Sequence, residues 1–499
     1  MSLRLSGFQA HQRQLLAWKP PIPGFYAILR LQSRLTRIVN LSNHEPYGVE
    51  SRWDEGMGLQ VFASGGRTVF VSADSLELEQ LENLMKQSLK LLEAHPIVPG
   101  ALEADFSSVE KLVADRFMEG ENAASLSLQA LLDMLGVLHR ELFELSSHVT
   151  RGMNSSFSAI DDEWHIFRSD GTDVHFNTWR TSLSHRVTVS QEGTSTAVRE
   201  SESGADASIL WDPNHRAAFK DRVRRKIELG LGILKGTPLK AGHYNIILDA
   251  GMAKGLAHEA FGHACESDSV LDGSALTRNH RYLVGERVAP PGVYIVDFPM
   301  PRDWADQPFS ANGFVRQAVE IVKDGVLSNA LSDLFSGPAV GVAVTGAERV
   351  ERYDCVPMPR MTNIRLELAQ AIPWDREFGR VEPQELYQFL QGQSLVNPQE
   401  TWLYLEGYRG GQVNTLTGDY VFNCTAIHKF QDGVVTTHPP AIFSGQILKT
   451  LAAVKAAVGP LELECQGMCG KDGQRVPSSG GGHLFTLFNA TEGIAIGGH

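Results

Sequence analysis

The chain has 499 residues, 42% of them hydrophobic, and a formal net charge of −13. This length predicts two domains, and the acidic balance argues against direct nucleic-acid partners because phosphate backbones repel it. The five cysteines are too few for a disulfide framework, and no run approaches the roughly 20 apolar residues that cross a bilayer. The first 19 residues lack a signal-peptide pattern. We therefore expect a cytoplasmic protein without a membrane partner.

Strand-like and helical segments alternate through the first half of the chain. In chain order we predict a strand at residues 26–39, a strand pair at 59–71, helices at 75–94 and 123–145, strands at 164–175 and 182–189, and a helix that opens at Asp212-Pro213 and ends near Gly236. The first helix places Leu81, Leu84 and Met85 on one face, and Pro96 stops it. This pattern predicts a mixed α/β domain over residues 1–235.

Beyond residue 236 the predicted elements change in character. An apolar strand at residues 244–248 leads into one helix just after Asp249. The remainder is read as short strands separated by glycine and proline, at residues 294–297, 314–322, 426–430 and 484–488. The fold class expected is α+β, in which a mainly β domain over residues 236–499 carries the helix after Asp249.

The strongest chemical signal lies in that helix, which reads His258-Glu259-Ala260-Phe261-Gly262-His263. A histidine followed by a glutamate, with a second histidine nearby, is typical of metallopeptidases in which two imidazoles hold a metal and the glutamate acts on bound water. Here the histidines are five residues apart, so an ideal α-helix would turn them about 140° from each other. We therefore predict a bulge or a helix end at Gly262.

Two histidines leave the metal site incomplete, because catalytic zinc usually takes three protein ligands and water. Cys469 lies in a glycine-rich segment that allows close approach, whereas Cys265 and Cys465 are its rivals. Two nearby acids, Glu266 and Asp268, either accept hydrogen bonds from the imidazoles or are ordinary surface acids, and the same holds for Asp249. The residues alone leave both questions open.

Several blocks of the second half occur in an order that is characteristic of one family. They are His258 to His263, Glu266-Ser267-Asp268, Gly285-Glu286-Arg287-Val288, Pro359-Arg360-Met361-Thr362-Asn363, Gly410-Gly411-Gln412-Val413 and Cys469-Gly470-Lys471-Asp472-Gly473-Gln474. On these blocks the chain resembles the TldD/PmbA family, in particular its motif-bearing TldD-like branch, strongly over residues 236–499. Where that family usually carries an acidic block, this chain has Ser310-Ala311-Asn312-Gly313.

The resemblance implies a peptidase active on short or unfolded peptides, with one divalent metal ion held by His258, His263 and Cys469. It also implies a dimer, either of two copies or with a motif-lacking relative. Glu259 is then the general base that takes a proton from metal-activated water. A thiolate ligand favours zinc, with iron as the alternative. The substrate is expected to add as a strand beside a sheet edge. The alternative function is a non-catalytic or regulatory subunit of a peptidase complex.

Overall fold

The computed structural model describes residues 4–43, 45–98, 102–104, 106, 109–149, 152–205, 208–279 and 281–497. Within this part of the chain the residues before Pro213 form one large sheet, and those after Lys235 form a second and larger one. The helix Pro213–Lys235 lies between the two in sequence and packs on the first sheet through Phe219 and Val223. The α+β fold class is confirmed.

The first sheet is mainly antiparallel. Its strands are β1 (Tyr26–Ser42), β2 (Glu45–Ala63), β3 (Arg67–Ala73), β4 (Val113–Arg116), β5 (Asn154–Arg168), β6 (Asp173–Gln191) and β7 (Thr194–Gly204). Strand β1 is central, with Ile28 opposite Gln60 of β2 on one side and Arg168 of β5 on the other. The strand predicted at residues 26–39 and the strand pairs predicted at 59–71 and 164–175 are confirmed. Residues 182–189 are not a separate strand but the continuation of β6.

The two faces of this sheet have different neighbours. Helices cover the face that carries Leu29 and Leu31; they are α1 (Gln9–Ala17), α2 (Leu78–Ala94), α3 (Leu128–Phe143) and α4 (Pro213–Lys235). The opposite face carries Ile28 and Arg30 and packs on the second half of the chain. Arg30 donates there to the carbonyl of Ala311 and to Asn312, so the segment that replaces the family's usual acidic block lies at this junction.

The second sheet mixes parallel and antiparallel pairs. The strands after Lys235 are β8 (Asn245–Asp249), β9 (Thr277–Arg278), β10 (Arg281–Tyr282), β11 (Val293–Phe298), β12 (Val319–Lys323), β13 (Val326–Leu327), β14 (Glu348–Arg349), β15 (Met358–Pro359), β16 (Asn363–Leu368), β17 (Ala371–Ile372), β18 (Trp402–Asn414), β19 (Asp419–Gln431), β20 (Val434–His438), β21 (Ile442–Gln446), β22 (Val454–Glu462), β23 (Gly467–Lys471), β24 (Gln474–Phe488) and β25 (Ile494–Gly497). Strand β8 lies between β24 and β18, and its end leads into the helix with the two histidines.

Two expectations for this half are wrong. The strands include long ones, such as β18, β19 and β24, rather than short runs alone, and residues 314–318 lie outside β12. The helix after Asp249 is also joined by others: α6 (Ser267–Leu271), α7 (Ser336–Ala339), α8 (Pro383–Gly392) and α9 (Ile447–Ala452). None of the helices in the described part of the chain combines the length and apolar character that a membrane crossing requires.

Candidate metal centre

The histidine-bearing helix begins directly at the end of β8. Asp249 caps it, because its Oδ1 accepts a hydrogen bond from the Met252 amide at 2.7 Å, while its Oδ2 accepts one from Gly407 at 2.7 Å. Asp249 is therefore a capping residue, and burial raises its pKa to about 6. The first turns, Ala250–Gly255 (α5), are ordinary α-helix.

The next segment, Leu256–Gly262, is π-helical, and His263–Cys265 then forms a 3₁₀ turn. A π-helix bonds residues five apart, which brings His258 and His263 towards a common face despite their spacing. The predicted irregularity is present, although it spans the whole segment rather than Gly262 alone. Gly262 is still required, because a Cβ there would lie 1.9 Å from the sulfur of Met361.

The structure brings His258, His263 and Cys469 together. One potential ligand atom from each side chain lies within 4.8 Å of the others, and all three residues are buried. Cys469 Sγ is 3.4 Å from His263 Nε2, and the two imidazole centroids are 5.1 Å apart with nearly perpendicular planes. Among the His, Cys, Asp and Glu side chains of the described ranges, these three form the group whose ligand atoms lie close enough together to hold a metal ion.

Contacts from distant segments fix the position of Cys469. It lies in β23, where it pairs with Val476 of the adjacent strand β24. The buried guanidinium of Arg360 donates to the carbonyl of Cys469 at 2.6 Å, and the indole of Trp304 donates to the carbonyl of Gly467 at 2.8 Å. The backbone on both sides of the thiol is therefore held, which orients Sγ toward the imidazoles.

A chain of charged groups orients His263. Its Nδ1 lies 3.0 Å from Glu266, which also accepts a hydrogen bond from Lys471 at 2.8 Å. Burial favours the neutral carboxyl, but the charges of His263 and Lys471 outweigh it and lower the pKa of Glu266 to about 2. The ionised carboxylate can only accept, so Nδ1 is the nitrogen that donates to it, and Nε2 is the nitrogen that would bind a metal once it has released its proton. Asp268 holds the other side of Lys471 at 2.7 Å.

The donor set fits a divalent metal that tolerates sulfur. Burial, with the nearby charge of Lys254, lowers the pKa of His258 well below its usual value, which keeps that imidazole neutral. Its buried Nδ1 has no hydrogen-bond partner within the described residues. Burial opposes ionisation of Cys469, but His263 and Arg360 outweigh it and lower the pKa of the thiol. Burial favours a neutral His263, but the charges of Glu266 and Cys469 outweigh it and raise the pKa of that imidazole well above its usual value, so metal binding would release a proton from it. The resulting set of two imidazoles and a thiolate is one that zinc accepts.

Glu259 faces a large cavity beside this cluster. The cavity has a volume of about 1220 Å³, and His258, Glu259, His263, Tyr408 and Trp304 contribute to its wall. The hydroxyl of Tyr408 donates to Glu259 at 3.1 Å, and burial raises the pKa of that carboxyl. The glutamate is thus held at the wall of a space that can admit a peptide.

The rival cysteines lie outside the cluster. Cys265 is fully buried in the apolar core, and burial raises the pKa of its thiol to about 12. Cys465 lines a neighbouring cavity instead. Sequence reasoning missed Tyr408 and Lys254, which both line the metal cavity, and it assigned no role to Arg360. Tyr408 lies two residues before the block Gly410-Gly411-Gln412-Val413, but no local pattern singles out Lys254 or Arg360.

A buried His, His and Cys metal centre between a sheet and a π-helix thus defines the protein as a candidate metal-dependent enzyme. Two family models match the chain: the PmbA/TldA metallopeptidase C-terminal domain over residues 241–479, and domain 1 of the same metallopeptidases over residues 27–92. The chain belongs to the PmbA/TldD family.

Individual relatives agree with this assignment. A metalloprotease TldD homolog of Haemophilus influenzae is 26% identical, over 88% of this chain and 87% of its own length. A zinc metalloprotease TldD homolog of Saccharolobus solfataricus is 26% identical over 50% of this chain and 51% of its own length. The crystal structure of TldE from Thermococcus kodakarensis matches 98% of this chain and all of its own with a TM-score of 0.71, at 12% identity. That structural match supports the fold.

Proposed function

We propose that the protein is a metal-dependent peptidase that hydrolyses short or unfolded peptides. The observation that carries this proposal is the assembly of His258, His263 and Cys469 beside Glu259 at the wall of one cavity. The metalloprotease names of its relatives support the same reaction class. Zinc is the metal that we propose, because it accepts imidazole and thiolate ligands together and a relative carries zinc in its name.

The protein's own groups carry the proton transfers in this mechanism. His258, His263 and Cys469 would hold the ion, which supplies a Lewis acid and lowers the pKa of bound water toward roughly 7. Glu259 accepts the proton of the attacking water and later delivers it to the leaving amine. The Tyr408 hydroxyl holds Glu259 Oε1 by a hydrogen bond and leaves the other oxygen of the carboxylate for this exchange.

An open strand edge supports the proposed mode of substrate binding. Strand β18 pairs with β8 through residues 402–405. Beyond Leu405, β19 is its only strand neighbour within the described residues, so the other edge of β18 is open. Residues 408–413 of this edge line the metal cavity. An extended peptide that adds to the edge would be recognised through its backbone, so many sequences would be accepted and folded proteins would be excluded.

The alternative function, a non-catalytic or regulatory partner subunit, has less support. A subunit of that kind has no need of a general base, yet Glu259 is retained with a hydrogen-bond partner of its own. The dimer that the resemblance implies, whether of two copies or with a motif-lacking relative, stays a prediction.

Metal removal tests the proposed function. We expect the purified protein to contain about one zinc ion per chain by elemental analysis and to cleave an unstructured peptide. Chelation should abolish cleavage, and added zinc should restore it, because the metal supplies both the Lewis acid and the acidified water. Full cleavage by a chain whose metal content has fallen to zero would contradict the proposal, and so would a metal-loaded chain that cleaves no peptide at all.

Replacing Tyr408 with Phe should lower kcat about tenfold, because it removes a hydrogen bond to a charged catalytic group. Metal content should stay unchanged, since Tyr408 is not a ligand. The matched control is Tyr420→Phe, which removes a hydroxyl that is hydrogen-bonded to Thr450 at 2.7 Å elsewhere in the same sheet. Equal losses of kcat in the two variants would show that Tyr408 has no specific role in positioning Glu259.

A further inference from the structure

Lys254 is a buried cation at the wall of the metal cavity. It lies in α5, one turn before His258, and its exposed fraction is 3%. Lys254 also lines a second cavity of about 450 Å³. Tyr408 lines both cavities as well, so these two residues lie at the boundary between them. Its ammonium is 5.9 Å from the centroid of the Tyr408 ring.

The charge of Lys254 has no ionic partner in the described part of the chain. Its Nζ donates to the hydroxyl of Ser478 at 3.2 Å, but no carboxylate oxygen lies within 4.0 Å. Two half-buried lysines do have partners: Lys226 contacts Glu406 at 2.7 Å, and Lys471 contacts Glu266 at 2.8 Å. Burial disfavours the charged form and lowers the pKa of Lys254, and an anion bound beside it would stabilise that form. Its position beside the cavity therefore points to an anionic ligand.

The strand edge that we assign to the substrate ends at this ammonium. Strand β8 fills the edge of β18 as far as Leu405, and α5 then continues from β8 and carries Lys254 past the last paired residue. A peptide strand lying along residues 408–413 therefore cannot continue to pair with β18 past α5. A peptide whose end lies where this pairing stops places that end near Lys254, and of the two peptide ends the one that an ammonium binds is the C-terminal carboxylate.

We propose that Lys254 binds the C-terminal carboxylate of the peptide and so restricts cleavage to bonds near that end. This inference rests on the proposed peptidase function and adds a substrate class to it, namely peptides with a free C-terminus. Lys254 is thus a specificity-determining residue. It provides one ammonium at the place where α5 ends the open edge of β18, while the remainder of the peptide is held through its backbone.

Peptide binding to the chelated protein tests this inference without hydrolysis and without a metal that could itself bind the carboxylate. The probes are an N-terminally labelled, unstructured hexapeptide of neutral residues with a free C-terminus, its C-terminal amide, and an amide that carries one internal aspartate. Fluorescence anisotropy gives their dissociation constants. Thermal unfolding checks that each protein stays folded.

We expect the free acid to bind about 10- to 100-fold more tightly than either amide, the range that a hydrogen bond to a charged group provides. Lys254→Met is close to Lys in size and should remove this preference while leaving the affinity for the neutral amide unchanged. Lys254→Gln, which can keep the hydrogen bond to Ser478, is the second variant should the first fail to fold. The matched control is Arg199→Met, an exposed cation of β7 that lines the same cavity and lies outside the β18 edge, which should retain the preference.

Equal binding of the acid and the neutral amide would overturn the inference and leave the peptidase proposal standing. The inference would also be wrong if the aspartate-bearing amide bound as tightly as the acid, if Arg199→Met lost as much preference as Lys254→Met, or if no probe bound. A different result would separate the two proposals. If the zinc-loaded protein cleaves none of the peptides while the acid still binds more tightly through Lys254, the inference is supported and the proposed function is contradicted.

Discussion

Glu259→Gln is expected to reduce peptide hydrolysis by at least about 10²- to 10⁴-fold, the contribution of a general base. The amide has nearly the same shape as the carboxylate and can still accept the hydrogen bond from Tyr408, but it cannot take a proton from water. His258, His263 and Cys469 are unchanged, so metal content should stay at the level of the unmodified protein. Steady-state kinetics with an unstructured peptide, together with elemental analysis, measure both quantities.

The control for this variant is Asp272→Asn, which neutralises an exposed acid of the same cavity. It should change kcat little, because Asp272 makes no contact with the proposed ligands. A Glu259→Gln protein that kept near-normal turnover would remove Glu259 from the mechanism. A variant that lost its metal as well as its activity would mean that Glu259 helps to hold the ion.

Local patterns predict the first half of the chain well. The strand expected at residues 26–39 is Tyr26–Ser42, and the helix expected at residues 75–94 is Leu78–Ala94. Both are marked by apolar residues at the period of a single element, which is information carried within the segment itself. The buried polar face of the sheet was not predicted, because Arg30 and its partner Asn312 are far apart in sequence.

The second half was predicted less well, for physical reasons. No strand was predicted over residues 402–414, because glycine was taken to separate short strands in this half of the chain. Gly407 and Gly410 instead adopt positive φ within one continuous strand, β18, that has a bulge in its pairing with β19. The helix Pro383–Gly392 was also missed, although a proline in its first turn and the buried residues Leu386 and Leu390 follow a helical pattern. The domain boundary near residue 236 stays a prediction.

The metal centre, too, could be predicted only in part from local sequence patterns. His258, Glu259 and His263 could be found from sequence because one short segment carries them, and their spacing indicated an irregular helix. The glycine-rich segment around Cys469 made it a candidate, but the choice of Cys469 over Cys265 and Cys465 came from the family resemblance. Lys254 could not have been found, because its significance depends on where α5 ends the pairing of β18. Long-range geometry of this kind leaves no short motif.

Cys469→Ala should lower metal content and activity together. Changing a residue that only supports a metal ligand weakens metal binding by about 10- to 100-fold, and we expect the loss of a ligand itself to weaken it by more. Removing Sγ leaves two imidazoles, which is one protein ligand fewer than a catalytic zinc site usually has. The variant should still fold, because Arg360 contacts the backbone carbonyl of Cys469 rather than its side chain. Titration against a competing chelator measures the affinity.

The other cysteines supply matched controls for this experiment. Cys265→Ala removes a thiol from the apolar core and should cost on the order of 1 kcal/mol of stability while metal binding is retained. Cys465→Ala alters the neighbouring cavity and should likewise leave the metal in place. Full metal occupancy in Cys469→Ala, with loss in either control, would move the third ligand to that other sulfur. The 3.4 Å approach of Cys469 Sγ to His263 Nε2 is the reason to expect the opposite, since in this structure that thiol already lies against the imidazole nitrogen that would bind a metal.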